Sequence, residues 1–184
     1  DRTAPQIATT FTDHQTGRFL QVEFPFTIID DSSVYSTWFV NDVLQISTSE
    51  ISGSVFLNLS EGQNFIRMVL VDAAGNTAEL QFNDIFVDSI PPVLSSIVPQ
   101  EGSYLSSLSA LVSGNSNEKL FSATVNGTVM TLTADQKNFT GTVSATADGA
   151  FILNIIATDL VGNQTSVTRT VQVDRTPPAI MLGV

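Results

Sequence analysis

Apolar and polar residues alternate along much of the chain, with the period of two that is typical of a β-strand half-buried in a sheet. The clearest case is the stretch FLQVEFPFTI, in which Leu20, Val22, Phe24, Phe26 and Ile28 share one face. Two longer apolar runs, FIRMVLVD and AFILNIIATD, are typical of central strands. The pattern predicts strands throughout the chain and no convincing helix.

Short turn sequences separate these predicted strands. VYSTWFV is followed by Asn41-Asp42 and then VLQIS, while FSATV and TVMTL flank Asn126-Gly127. Asn-Gly is a strong hairpin signal because both turn residues must accept a positive φ. About seven short strands in fewer than 90 residues indicate an immunoglobulin-like β-sandwich, and the chain has room for two of them.

One short phrase occurs three times at nearly even spacing. Asp1, Asp88 and Asp174 head DRTAP, VDSIPP and VDRTPP, so the spacings are 88 − 1 = 87 and 174 − 88 = 86 residues. VDAAGN at 71–76 and TDLVGN at 158–163 repeat with the same period. Such a period predicts a repeat array. We expect a first module at 1–88, a second at 89–175, and at 176–184 the start of a third module or a C-terminal tail.

Composition narrows the classes of function. The chain has 18 Asp and Glu against 7 Lys and Arg, giving a net charge of −11, and it has no cysteine. A nucleic-acid surface needs clustered cations, so nucleic acid and anionic membranes are poor partners. No apolar stretch approaches the roughly 20 residues of a membrane helix, and we expect no membrane insertion. Thiolate chemistry is excluded, whereas divalent cations suit the acidic balance.

The repeated phrases resemble the bacterial Ig-like repeats of large surface adhesins and other secreted multi-domain proteins. DRTAP leads into a strand, VDAAGN follows about 70 residues later, and VDSIPP closes the module; the likeness covers nearly the whole chain, twice. It implies an extracellular or cell-surface stalk or adhesive module without enzymatic activity. The implied partners are neighbouring Ig-like modules of the parent chain, with a host-cell protein, a matrix protein or a glycan as alternative ligands.

The same resemblance implies Ca²⁺ at module junctions, held by Asp88 with Asp159 and by Asp1 with Asp72. In such a sandwich the incoming linker and two loops meet at one pole, and calcium takes 6–8 oxygen ligands there. The first pole would gather Asp1, Asp30, Asp31, Asp72 and Asn76, and the second Asp88, Asn115, Asn117, Glu118, Asp159 and Asn163. Turn chemistry is the alternative, because an Asp in D-x-x-G-N can accept hydrogen bonds from the turn's own amides.

Other chemistries have less support. His14 is the sole histidine and lies in a polar stretch with no nucleophile turn near it, so a catalytic triad is not expected. A Lys–Asn isopeptide bond needs a buried lysine; the first module has none, and the second has Lys119 and Lys137.

Four aromatic residues, Tyr35, Trp38, Phe39 and Phe56, are candidates for a sugar-binding platform. Trp38, however, falls where an immunoglobulin-like core takes its tryptophan. An accessory carbohydrate-binding or spacer module of a secreted carbohydrate-active enzyme is therefore the alternative function.

Overall fold

The computed structural model describes residues 2–13 and 15–180. The chain divides into two compact units, Asp1–Ser89 and Ile90–Val184. The regular secondary structure of the described residues consists of β-strands alone, which confirms the all-β prediction. None of these residues forms a helix that could span a membrane.

The first unit contains eight strands among its described residues, in two sheets. They are β1 (Gln6–Ala8), β2 (Thr16–Gly17), β3 (Gln21–Ile29), β4 (Val34–Val40), β5 (Val43–Thr48), β6 (Ser52–Asn58), β7 (Gly62–Asp72) and β8 (Thr77–Val87). One sheet has the order β1-β3-β6 and the other β2-β8-β7-β4-β5. The run FIRMVLVD lies in β7, between β8 and β4, and is central as predicted.

The second unit contains nine strands among its described residues. They are β9 (Leu94–Val98), β10 (Tyr104–Leu105), β11 (Ser109–Ser116), β12 (Leu120–Val125), β13 (Thr128–Val129), β14 (Thr131–Leu132), β15 (Asn138–Ser144), β16 (Gly149–Asp159) and β17 (Gln164–Val173). The two sheets have the orders β14-β15-β11-β9 and β10-β17-β16-β12-β13.

The first strand of each unit is split between the two sheets. β1 pairs antiparallel with β3, whereas β2, a few residues later, pairs parallel with β8 in the opposite sheet. The second unit repeats this arrangement, with β9 antiparallel to β11 and β10 parallel to β17. In each unit the second segment of the first strand therefore lies beside the last strand and parallel to it.

The predicted hairpin turns have the backbone that their residues favour. Asn41 and Asp42 have φ values of 51° and 61°, and Asn126 and Gly127 have values of 49° and 80°. The alternation in the FLQVEFPFTI stretch is also confirmed for Phe24, Phe26 and Ile28, which are buried. Leu20 departs from the prediction: it precedes β3 and remains 47% exposed, because the strand that would fix its face begins at Gln21.

The two cores pair a phenylalanine with a glycine, but on exchanged strands. In the first unit Phe26 of β3 faces Gly53 of β6. In the second, Gly114 of β11 faces Phe139 of β15, and a Cβ on Gly114 would lie 2.5 Å from Cζ of that ring. Gly114 must therefore be small to admit the Phe139 ring, whereas a Cβ on Gly53 would have no heavy atom within 4 Å.

Candidate functional site

The D-x-x-G-N turn after β7 is organised by the Asp72 carboxylate. Its Oδ1 accepts hydrogen bonds from the amides of Ala74 (2.9 Å) and Asn76 (2.7 Å), and its Oδ2 accepts one from Asn76 Nδ2 (2.6 Å). The Asp72 amide donates to the Asn76 carbonyl at 3.0 Å, which closes the turn. Gly75 provides the positive φ of 88° that the turn needs.

Asp159 organises the equivalent turn after β16 and is more deeply buried, at 1% exposure. Its Oδ1 accepts from the amides of Val161 (2.9 Å), Gly162 (2.7 Å) and Asn163 (2.9 Å). Its Oδ2 accepts from Asn163 Nδ2 at 2.7 Å. The structure thus shows the turn chemistry that was one of the two alternatives for these aspartates. A buried carboxylate needs such donors because desolvation penalises its charge.

Hydrogen bonding lowers the pKa of the Asp72 carboxyl, although the side chain is buried. Burial is the largest single influence and raises the pKa, but the side-chain and amide donors of Asn76, with the amides of Ala74 and Gly75, together outweigh it. The carboxyl pKa therefore lies below its ordinary value of 3.8. These donors all favour the charged form of the carboxylate.

We expect the first unit to lose stability in acid through Asp72. Because the folded-state pKa is depressed, the contribution is present above pH 3.8 and is lost as the pH falls from 3.8 through the folded-state pKa. Urea midpoints followed by Trp38 fluorescence at pH 7 and at lower pH would measure the loss. The Asp72→Asn variant should show a shallower pH dependence over this range, and an identical dependence in both proteins would contradict the assignment.

Two other predicted ligands also satisfy nearby backbone groups. Asp30 Oδ1 accepts from the Ser32 amide and hydroxyl, each at 2.8 Å. Asn117 Oδ1 accepts from the Val93 amide at 2.7 Å, and the Asn117 amide donates to the Val93 carbonyl at 3.1 Å. Asn117 thereby fixes the chain just before β9.

The structure brings together the pair Asp72 and Asn76 and the pair Asp159 and Asn163. Asp88 lies just before the end of the first unit, where its amide donates to the Gly17 carbonyl at 3.0 Å. Asp159 belongs to the second unit, so the pairing of these two aspartates in one calcium site stays a prediction. Asp1 lies outside the described residues, as does His14.

The oxygen chemistry of the turns is compatible with a hard cation. An ionised carboxylate offers about four lone-pair positions on its two oxygens. In Asp159, Oδ1 accepts three hydrogen bonds and Oδ2 accepts one, so Oδ2 is the oxygen with capacity for a further contact. Calcium binding at Asp159 would therefore use Oδ2 and leave the turn intact.

The aromatic candidates do not form one platform. Trp38 is fully buried and packs against Phe24, with ring centroids 4.8 Å apart. Tyr35 and Phe39 lie on the outer face of β4, where the Arg67 guanidinium lies 4.2 Å from the Phe39 ring centroid. Phe56 is exposed on β6, in the opposite sheet.

The lysines required for an isopeptide bond are not buried. Lys119 is exposed, and Lys137 Nζ donates to the Asn117 carbonyl at 3.2 Å in an exposed position. Both side chains therefore lack the burial that this bond needs.

Backbone hydrogen bonds between the terminal strands are a feature that the sequence did not reveal. In the first unit the Phe86 amide donates to the Gln15 carbonyl (2.7 Å), and the Asp88 amide donates to the Gly17 carbonyl (3.0 Å). In the second, the Gln172 amide donates to the Ser103 carbonyl (2.8 Å), and the Asp174 amide donates to the Leu105 carbonyl (2.9 Å). We call each set a terminal-strand clamp. Strands of two residues leave no periodicity to detect.

No protein-family model matches the chain, and no curated protein sequence matches it. Its fold is similar to that of an I-band fragment of titin, with a TM-score of 0.60, 9% identity, and coverage of 94% of this chain and 66% of that chain. A three-Ig titin variant gives a TM-score of 0.56 at 9% identity, covering 93% and 66%.

Fibronectin(III)-like modules of Clostridium thermocellum CbhA are also similar, with a TM-score of 0.48, 14% identity, and coverage of 91% and 93%. Identities this low concern the fold alone. The chain consists of two tandem immunoglobulin-like β-sandwiches, as the sequence predicted.

Proposed function

We propose that this chain is a non-enzymatic structural or adhesive segment of a bacterial surface or secreted protein, and that it transmits tension between its ends. The terminal-strand clamp is the observation that supports this function best. Both units have it, although they differ in core composition and in the number of strands that their described residues form.

The clamp supports a mechanical role because of its direction. In each unit the first-strand segment and the last strand are parallel neighbours joined by backbone hydrogen bonds. Tension applied at the two ends of a unit pulls such strands in opposite directions along their length. The hydrogen bonds are then loaded together in shear and cannot open one at a time, so resistance to extension follows from the topology.

Single-molecule extension of the full chain tests this function. We expect Phe86→Pro to lower the unfolding force of the first unit, because proline lacks the amide that donates to the Gln15 carbonyl. The second unit, whose clamp is unchanged, is the internal reference. Leu57→Ala is a matched control, since it weakens the core without touching the clamp. An equal loss of force in both variants would contradict a mechanical role for the clamp.

We further propose that Ca²⁺ binds at the junction of consecutive modules and stiffens the chain there, with Asp88 and Asp159 as ligands and Asn117 and Asn163 as further oxygen donors. The repeated phrase supports this, because neither Asp88 nor Asp174 is required by a D-x-x-G-N turn. Asp1, Asp72, Asn76 and Asp30 would form the corresponding site at the preceding junction.

Thermal unfolding in excess Ca²⁺ and in excess chelator measures this binding. A ligand at 100 times its dissociation constant stabilises the folded state by about 2.7 kcal/mol. For units of this size the melting temperature should rise by roughly 10 °C or more. Asp88→Asn should abolish the rise of the second-unit transition, and Asp174→Asn, at the same position of the next phrase, should retain it. The same melting temperature with Ca²⁺ and with chelator would refute calcium binding and leave the mechanical proposal standing.

A further inference from the structure

The first unit leaves one sheet edge uncovered where the second unit has a strand. Among the described residues β6 is the last strand of its sheet, with β3 on one side only. Its counterpart β15 has β14 on that side, through Thr131 opposite Thr140 and Leu132 opposite Phe139. In the first unit the chain passes from β5 to β6 through three residues, too few to form the missing strand.

The backbone of β6 directs hydrogen-bonding groups toward this free edge. The Leu59 amide donates to the Leu20 carbonyl at 2.8 Å, on the β3 side. Because antiparallel pairing alternates, Ser54 and Phe56 direct their amides and carbonyls away from β3. Two contacts agree: Ser54 faces Pro25, which has no amide hydrogen, and the Asn58 amide donates to Gln45 Oε1 of β5 at 3.4 Å.

The edge lacks the features that usually prevent strand addition. Proteins protect edges with charges, proline or bulges. The β6 sequence, SGSVFLN, contains neither charge nor proline, and it pairs with β3 in continuous register. The Phe56 side chain is 60% exposed on its outer face. A cavity of about 210 Å³ lies beside the strand, and core residues Phe26 and Val55 contribute to its lining.

We propose that β6 pairs antiparallel with β6 of a second copy of this chain, centred on Val55. The residue numbers of facing positions then sum to 110, so that Ser54 faces Phe56 of the second copy and Ser52 faces Asn58 of the second copy. The residues with outward-directed backbone groups become the hydrogen-bonded pairs, and the Asn58 amide gives up its 3.4 Å contact with Gln45 Oε1 to join them. The two Phe56 rings lie on the same outer face as diagonal neighbours, a distance that aromatic side chains can span.

Charge opposes the association of two copies, and the register keeps carboxylates from facing each other directly. The first unit contains 12 Asp and Glu and 3 Lys and Arg at positions 1–89, a net charge of 3 − 12 = −9. Two copies repel each other wherever carboxylates face carboxylates. In the proposed register Glu50 faces Ser60 of the second copy, and Glu61 faces Ser49 of the second copy. A two-fold pair also closes on itself, so the product is a dimer and not a filament.

Sedimentation of the full chain over a concentration series tests the pairing. The mass should rise from 19.7 kDa toward twice that value, and added salt should favour the dimer because it screens the repulsion. Phe56→Lys should remain monomeric, and its lysine faces Glu23 within its own sheet, which favours folding. Tyr35→Lys, an exposed aromatic in the opposite sheet, should dimerise normally. A constant monomer mass, or a dimer that survives Phe56→Lys, would overturn the proposal.

Cysteine trapping provides a second measurement that does not depend on affinity, since the chain has no cysteine. Ser54→Cys and Phe56→Cys chains are mixed with oxidised glutathione as the oxidant. Hydrogen-bonded antiparallel pairs have Cα atoms about 5.5 Å apart, within reach of a disulfide. We expect the disulfide between a Ser54→Cys chain and a Phe56→Cys chain to form in preference to disulfides between two identical chains. The control is the pair Thr140→Cys and Thr142→Cys, on strand β15, which β14 partly covers. Equal yields of disulfide from the two pairs would refute the proposed pairing through the β6 edge.

Discussion

Asp159→Ala should destabilise the second unit by about 3 kcal/mol. The carboxylate is buried and accepts four hydrogen bonds, three from turn amides and one from Asn163 Nδ2. Its removal leaves these donors without an acceptor, and each buried group left without a partner costs about 1–3 kcal/mol unless water reaches it. Water that enters the opened turn satisfies some of these donors, so the total cost stays well below the sum of the four individual costs. Domains of this size are stable by about 5–15 kcal/mol, so the loss is a large fraction.

Two probes separate the units in this experiment. Trp38 is the only tryptophan and reports on the first unit, whereas far-ultraviolet circular dichroism follows the strands of both. In urea, with chelator present to exclude a metal effect, the second-unit transition should move and the fluorescence transition should not.

Asp174→Ala is the control, because this aspartate accepts a Thr176 amide at 3.0 Å but is exposed. Its effect should stay within about 0.5 kcal/mol. Equal losses in the two variants would show that the Asp159 hydrogen bonds contribute little.

The local chemistry of the turns made them predictable from sequence. Asn126-Gly127 and Asn41-Asp42 specify positive φ by themselves, and the alternation through Phe24 and Phe26 specifies one buried face. The aspartate turns were predictable as one of two alternatives, because Asp72 and Asp159 carry the same carboxylate whether it accepts amides or binds a cation. The hydrogen bonds that distinguish these roles depend on the folded loop.

Features that depend on contacts between strands distant in sequence were not predictable. The crossing of the first strand from one sheet to the other uses segments of two and three residues, too short for a periodic signal. The free edge of β6 is defined by the absence of a pairing strand, which no residue of β6 records. The pairing of Gly114 with Phe139 likewise appears only when two strands 25 positions apart are placed side by side.

The two units fill their cores with different large side chains, and only the first unit has a tryptophan. The first unit fills its centre from β4, where Trp38 contacts Phe24 (4.8 Å between centroids) and Phe26 (5.3 Å). The Trp38 indole also donates to Ser36 Oγ at 3.2 Å, which in turn donates to the Thr48 carbonyl at 3.2 Å. In the second unit Phe139, supplied by β15, is the largest of the fully buried side chains. The first unit thus buries a cluster of aromatic rings around Trp38, whereas Phe139 is the one buried aromatic side chain among the described residues of the second.

Trp38→Ala should therefore cost the first unit about 4 kcal/mol, because it removes a fully buried aromatic side chain and leaves a cavity that Phe24 and Phe26 cannot fill. Urea unfolding followed by circular dichroism should show the first-unit transition at lower denaturant and the second-unit transition unchanged. Trp38→Phe, which retains most of the ring volume, should lose much less and keep the Ser36 hydroxyl bonded to Thr48. If alanine and phenylalanine cost the same, the stabilisation comes from the indole hydrogen bond, and packing against the two phenylalanines is not its source.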